Sequence, residues 1–216
     1  MTTYEEKDNR GYNFAVQFFQ NIIKTSRSGK DIKYNFKQIP QEGRCFDFKM
    51  TARTDNEEQY YVVEVKWRSV YDRYTSVMLE EDKFETRKRY KGYKPLYFNI
   101  LDAEAGYKKA IKKGWLKAAE KAKETPTEVA IFNLNEVEKV WDNNDICVEH
   151  NGFQQVNDED NNENIKYKKT KWIRRFVTDQ EKKENNLKDN FCLNFIKWEG
   201  NGNTYRWEKF PNDREK

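Results

Sequence analysis

Residues 44–67 read RCFDFKMTARTDNEEQYYVVEVKW. Residues 44–53 alternate apolar and polar, residues 59–67 do the same, and a short polar segment, TDNEE, joins them. Two alternating runs with such a connection predict a β-hairpin whose side chains point alternately to its two faces. In the second strand Val62, Glu64 and Lys66 share one face, opposite Tyr61, Val63, Val65 and Trp67. In the first, Phe46, Phe48 and Met50 point one way and Asp47, Lys49 and Thr51 the other. A turn at residues 55–57 brings Asp47 opposite Glu64 or Lys66, so two carboxylates and an ammonium meet on a polar patch of an otherwise apolar hairpin.

Upstream, residues 12–24 carry Phe14, Phe18 and Ile22 at helical spacing, which predicts a helix packed on a sheet. A short strand is expected over 31–39. Downstream, residues 77–91 read as a helix with Val77, Glu81, Phe84 and Lys88 in step, and PLYFNIL (95–101) as a buried strand. A Lys-rich helix over 103–123, a strand at EVAIF (128–132) and a short helix over 134–141 follow. After residue 142 the pattern changes. Asn151-Gly152 between apolar runs signals a hairpin, residues 157–165 form an acidic loop, and 191–210 read as a second hairpin turning at GNGN, with Trp198 and Trp207 paired across it. The expectation is an α/β core over residues 1–142. A β-rich C-terminal extension over 143–216 either belongs to the same domain or is a small appendage.

Composition narrows the chemistry. His150 is the only histidine among 216 residues. Ser-His-Asp catalysis, HExxH zinc sites and His-based nucleases are therefore excluded or starved of ligands. Cys45, Cys147 and Cys192 form no CxxC pair, which argues against a zinc ribbon or a disulfide framework. The segment MTTYEEKDNRGYN does not resemble a secretory leader, and no run of apolar residues suits a membrane span, so a cytoplasmic protein without a membrane partner is expected. The net charge is only +4, but lysines cluster over 107–123 and basic residues with Trp172 over 166–176. Each block suits a phosphate backbone or, equally, a solvated face.

A hydrolase built from these residues relies on carboxylates, lysine and a hard metal. Mg²⁺ prefers oxygen ligands and keeps several waters. Asp47 and Glu64 offer two carboxylates and Val65 a carbonyl between them, while Lys66 stands where it can stabilise negative charge developing on a phosphate. The alternative is an ordinary cross-strand ion pair on an exposed hairpin.

The pattern Asp47…Glu64-Val65-Lys66 resembles the signature of PD-(D/E)xK nucleases, over roughly the first hundred residues. The resemblance implies a restriction-endonuclease-like α/β core, a central mixed β-sheet flanked by helices in the order helix, β-meander carrying the acids, helix, strand. It also implies Mg²⁺- or Mn²⁺-dependent cleavage of nucleic acid, most often double-stranded DNA. Catalytic roles for Asp47, Glu64 and Lys66 follow from it, with the metal on Asp47, Glu64 and Val65. Arg68, Arg73, Lys83 and Arg87 follow the motif and are expected to contact nucleic acid, Lys83 and Arg87 from a shared helix face. A homodimer is a further expectation for an enzyme cutting both strands. Two departures stand out. Phe46 replaces the proline, and Ala15 occupies the first-helix position where many members carry a glutamate, leaving Glu5, Glu6 or Gln20 to serve. A scaffold that binds DNA or protein without cleaving is the alternative if none does.

Overall fold

The computed structural model describes residues 4–26, 29–40, 46–150, 169–199 and 205–209. Cys45, the Asn151-Gly152 hairpin, the 157–165 loop and the GNGN turn lie outside the described residues. The chain begins with α1 (Tyr4–Asn21), followed by an antiparallel meander of β1 (Lys33–Gln38), β2 (Phe48–Arg53) and β3 (Glu58–Ser69). A crossover containing β4 (Ser76–Glu80), α2 (Glu81–Thr86) and a 3₁₀ turn (Arg87–Arg89) leads to β5 (Lys94–Asp102), which pairs parallel to β3. Then come α3 (Ala103–Lys112), α4 (Leu116–Glu124), β6 (Glu128–Asn133), α5 (Leu134–Glu138), β7 (Cys147–His150), β8 (Thr170–Arg174), α6 (Asp179–Glu184), β9 (Cys192–Glu199) and β10 (Tyr205–Lys209).

The main sheet is mixed, in the order β1-β2-β3-β5-β6-β9-β10, and a smaller sheet runs β4-β8-β7. Strands from beyond residue 142 thus extend the main sheet at one edge and supply two of the three strands of the small one. Alternation along β3 sorts the core into two layers. Val63, with Phe48, Met50, Phe98 and Ile131, packs under Ala15, Phe18 and Phe19 of α1. Val62, with Tyr97, Ala130 and Phe132, packs toward Val77 and Leu79 of β4 and Ile173 of β8. All six residues of β6 are buried, because this strand is covered on both faces.

Several sequence expectations are corrected. The helix expected over 77–91 is a strand to residue 80 and helical only from Glu81. The reason is a partner some ninety residues away: β4 pairs antiparallel with β8, Met78 opposite Trp172, and local periodicity cannot see it. The single helix expected over 103–123 is two, broken at Gly114, whose φ of 71° leaves the helical region. The first helix starts at Tyr4, earlier than residue 12. In the final hairpin Trp198 stands opposite Arg206 and Trp207 opposite Lys197, and the Trp207 ring instead packs on Phe14 and Phe18.

The two sheets are tied by a buried polar network. The Arg175 guanidinium, 1% exposed, donates to Glu128 Oε2 at 2.5 Å, to Asn194 Oδ1 at 2.9 Å and to the Tyr74 carbonyl at 2.9 Å. Arg73 Nε donates to the other Glu128 oxygen at 2.7 Å. Such a network fixes relative position because each member left alone would be a costly buried charge. Burial pushes the thiols of Cys147 and Cys192 up to about 12, which marks them as inert packing residues. Among the described residues no helix is long and apolar enough to cross a membrane.

At the end of β3, α3 crosses very near the backbone. A Cβ on Gly106 would lie 1.8 Å from the Val70 carbonyl oxygen. Gly106→Ala should therefore destabilise the protein by about 1–3 kcal/mol, seen as a lower urea midpoint; an unchanged midpoint would contradict this close approach.

Candidate active site

The site is built on the central strand. The even-numbered residues Glu64, Lys66 and Arg68 lie on the face that meets the small sheet, beside Tyr97, Asn99 and Leu101 of the parallel neighbour β5. Asp47 sits at a bend just before β2, one step beyond the register pair Phe48–Val63, and so comes opposite Glu64. The bend also reverses Phe46, which joins the Val62 side of the sheet rather than the Phe48 side expected from alternation. Main-chain bonds hold Asp47 between two strands: its N–H donates to the Val63 carbonyl, and its carbonyl accepts from Ile39, both at 2.9 Å. Its side-chain Oδ2 accepts the Val65 N–H at 2.6 Å, a charge-assisted bond in the place a further β2 residue would occupy. The amide and carbonyl of one strand residue point to the same side, so the Val65 carbonyl also faces the Asp47 side.

Glu64 is the most enclosed of the three, with 4% of its side chain exposed. Its Oε1 faces Lys66 Nζ at 3.0 Å and Lys83 Nζ at 3.2 Å. Its Oε2 is buried and accepts no hydrogen bond. Lys66 Nζ also reaches Glu80 Oε1, again at 3.0 Å, and Glu80 is itself buried. Burial alone would lower the Lys66 pKa, but Glu64, Tyr97 and Glu80 outweigh it and hold the ammonium above its ordinary value. Lys66 is therefore a fixed positive charge rather than a base. Below it lies the buried Tyr97, whose phenol is pushed up to about 12 by burial.

Of the four cations expected to contact nucleic acid, the structure brings only Lys83 to the carboxylates. Arg68 is a brace, donating to the Met78 carbonyl at 2.8 Å, the Tyr97 hydroxyl at 3.1 Å and Asn99 Oδ1 at 3.3 Å. Arg73 belongs to the Glu128 network. Arg87 does not share a face with Lys83. It falls in the 3₁₀ turn, is 5% exposed, lies over the Phe84 ring and pairs with Glu138. Ala15 is fully enclosed in the apolar layer under α1, where no acid could be accommodated. Gln20 is exposed, and the side chains of Glu5 and Glu6 lie outside the described residues.

Sequence reading missed Glu80. Its signal was present in SVMLE (76–80), where Val77 and Leu79 alternate with less apolar positions, but the helical reading of the segment hid it. Tyr97 carries no sequence signal beyond its place in the buried strand PLYFNIL.

A hard cation fits the donor set. Among the described residues no three His, Cys, Asp or Glu side chains group as a metal cage. Mg²⁺ commonly needs no such cage, being held by one or two carboxylates with water and substrate oxygens. The Glu64 Oε2 is a buried acceptor without a donor, which is costly unless a cation or water meets it. Asp47, Glu64 and the Val65 carbonyl would be the groups to hold it. No protein family, curated protein or solved structure matches this chain.

Removing the Lys66 charge leaves Glu64 and Glu80 short of a counter-ion. Lys66→Met should cost about 3 kcal/mol, and adding Glu80→Gln should recover at least about 1 kcal/mol of that loss. Urea unfolding of both single variants and the double variant measures this, and strict additivity would show that the two residues do not interact.

Proposed function

We propose that this protein is a metal-dependent endonuclease of the PD-(D/E)xK type that hydrolyses phosphodiester bonds of nucleic acid. Double-stranded DNA is the substrate class, a choice that rests on the resemblance alone. One observation carries the reading: Glu64 and Lys66 pair at 3.0 Å on one face of the central strand, largely withdrawn from solvent, and the Asp47 carboxylate is bonded to the N–H of Val65 between them. The element order supports it. A helix, an antiparallel meander, a crossover with a helix and a parallel strand beside the acid-bearing strand is the order of a restriction-endonuclease-like core. The strand β4 in the crossover is an addition to that order.

Asp47, Glu64 and the Val65 carbonyl would hold Mg²⁺ or Mn²⁺, which supplies Lewis acidity for water and neutralises phosphate charge. The Val65 N–H keeps the Asp47 carboxylate turned toward the strand end. Lys66, kept protonated between Glu64 and Glu80, stabilises the charge that develops on the phosphate. Lys83 neutralises Glu64 and offers a second ammonium to an approaching phosphate.

Lys83 also favours a second reading. Two ammonium groups on one carboxylate oxygen balance it without a metal, as an inert DNA- or protein-binding scaffold would require. Incubation of supercoiled plasmid with Mg²⁺ or Mn²⁺ separates the two. Wild type should nick it, and Asp47→Ala and Lys66→Ala should each lose about a hundredfold or more in rate while retaining the fold. Intact plasmid with folded wild type and both metals would favour the scaffold.

A further inference from the structure

Large exposed apolar side chains are concentrated in one place. Of seven among the described residues, four belong to the hairpin of α3 and α4: Tyr107, Ile111, Trp115 and Leu116. The first three recur at four-residue steps, a stripe along α3 that runs into the turn. Every residue from Ile111 to Lys117 is exposed, and Leu116 is 68% so. Cations surround this tip: from Tyr107 to Lys117 there are five lysines and no acid. The inner faces of both helices, Ala110, Ala119 and Ala122, are buried in the fold.

The hairpin is held to the strand that carries the site. Asp102 caps α3 through the Ala105 N–H at 2.9 Å and accepts Trp67 Nε1 of β3 at 2.8 Å. Gly106 lies against Val70, Trp115 meets Tyr71 edge-on at 5.9 Å between ring centroids, and Lys121 pairs with Asp72 at 2.9 Å. The tip is thus an apolar wedge with a cationic collar, fixed to the loop that follows β3.

Its charge selects the occupant. A second copy docking through the same face would oppose lysine to lysine. An amphipathic membrane anchor needs a broad apolar face, and here the other apolar side of each helix is already spent on the fold. A polyanion with stackable faces meets both features, since apolar side chains can wedge between base steps while lysines take the flanking phosphates. We propose that the α3–α4 tip is a contact for duplex DNA, with Trp115 and Leu116 against the bases and Lys112, Lys113 and Lys117 on the backbone. This goes beyond the cleavage reading and does not depend on it.

Anisotropy of a fluorescein-labelled duplex oligonucleotide, in EDTA over a range of NaCl concentrations, tests the contact on the full chain. Trp115→Ser/Leu116→Ser and Lys112→Glu/Lys113→Glu should each bind about tenfold or more weakly than wild type. Only the lysine pair should flatten the salt dependence, and circular dichroism should show both variants folded at the assay temperature. Because binding is read in EDTA, where no cleavage can occur, failure of wild type to nick plasmid would leave this contact intact. Wild-type affinity in both tip variants would overturn it. So would absence of duplex binding by wild type, or tip substitutions that abolish binding to phosphatidylserine vesicles while leaving duplex binding unchanged.

Discussion

Glu64 cannot stand ionised in the interior of this protein without compensation, and much of the architecture around β3 follows from supplying it. Two lysines converge on one of its oxygens, from the same strand and from α2. Lys66 in turn needs Glu80, which exists at that position only because β4 leaves the main sheet and pairs with β8. Arg68, two residues further along the same face, is satisfied by Met78 of that strand and by Tyr97 beneath. The small sheet therefore does more than cover apolar surface; it carries the groups that make a charged stripe tolerable in a core.

The hairpin was legible because a strand with one charged and one apolar face has a period that little else mimics. Val62, Glu64 and Lys66 against Val63, Val65 and Trp67 predicted both faces, and the register placed Asp47 opposite Glu64. What stayed hidden depends on distant partners. The strand character of 77–80 comes from β8, and the inward turn of Arg87 comes from Phe84 and Glu138. Charge type alone could not separate Arg68 and Arg73, which brace the fold, from Lys83, which reaches the carboxylates. The break at Gly114 was readable as a glycine but not as a fixed hairpin, because the contacts that hold it, Gly106 on Val70 and Trp115 on Tyr71, join segments far apart in sequence.

Site and hairpin also differ in how their charge is treated. At Glu64 the cations are enclosed and paired, which on the proposed reading would give a preorganised field for a reacting phosphate. At the α3–α4 tip they are solvated and gathered around exposed apolar groups, which suits reversible contact with a long polyanion. A chain of modest net charge can thus present two distinct electrostatic surfaces, linked by the end of β3 and the loop after it.

On the proposed reading, Glu64 Oε2 and the carboxylate of Asp47 form a divalent-cation site. Calorimetric titration of Mn²⁺ into the wild-type protein and into Glu64→Gln addresses it without reference to any substrate. Wild type should bind saturably, and a folded Glu64→Gln variant should not. Equal binding by the two proteins, or none by folded wild type, would contradict it and leave Glu64 as a structural ion pair.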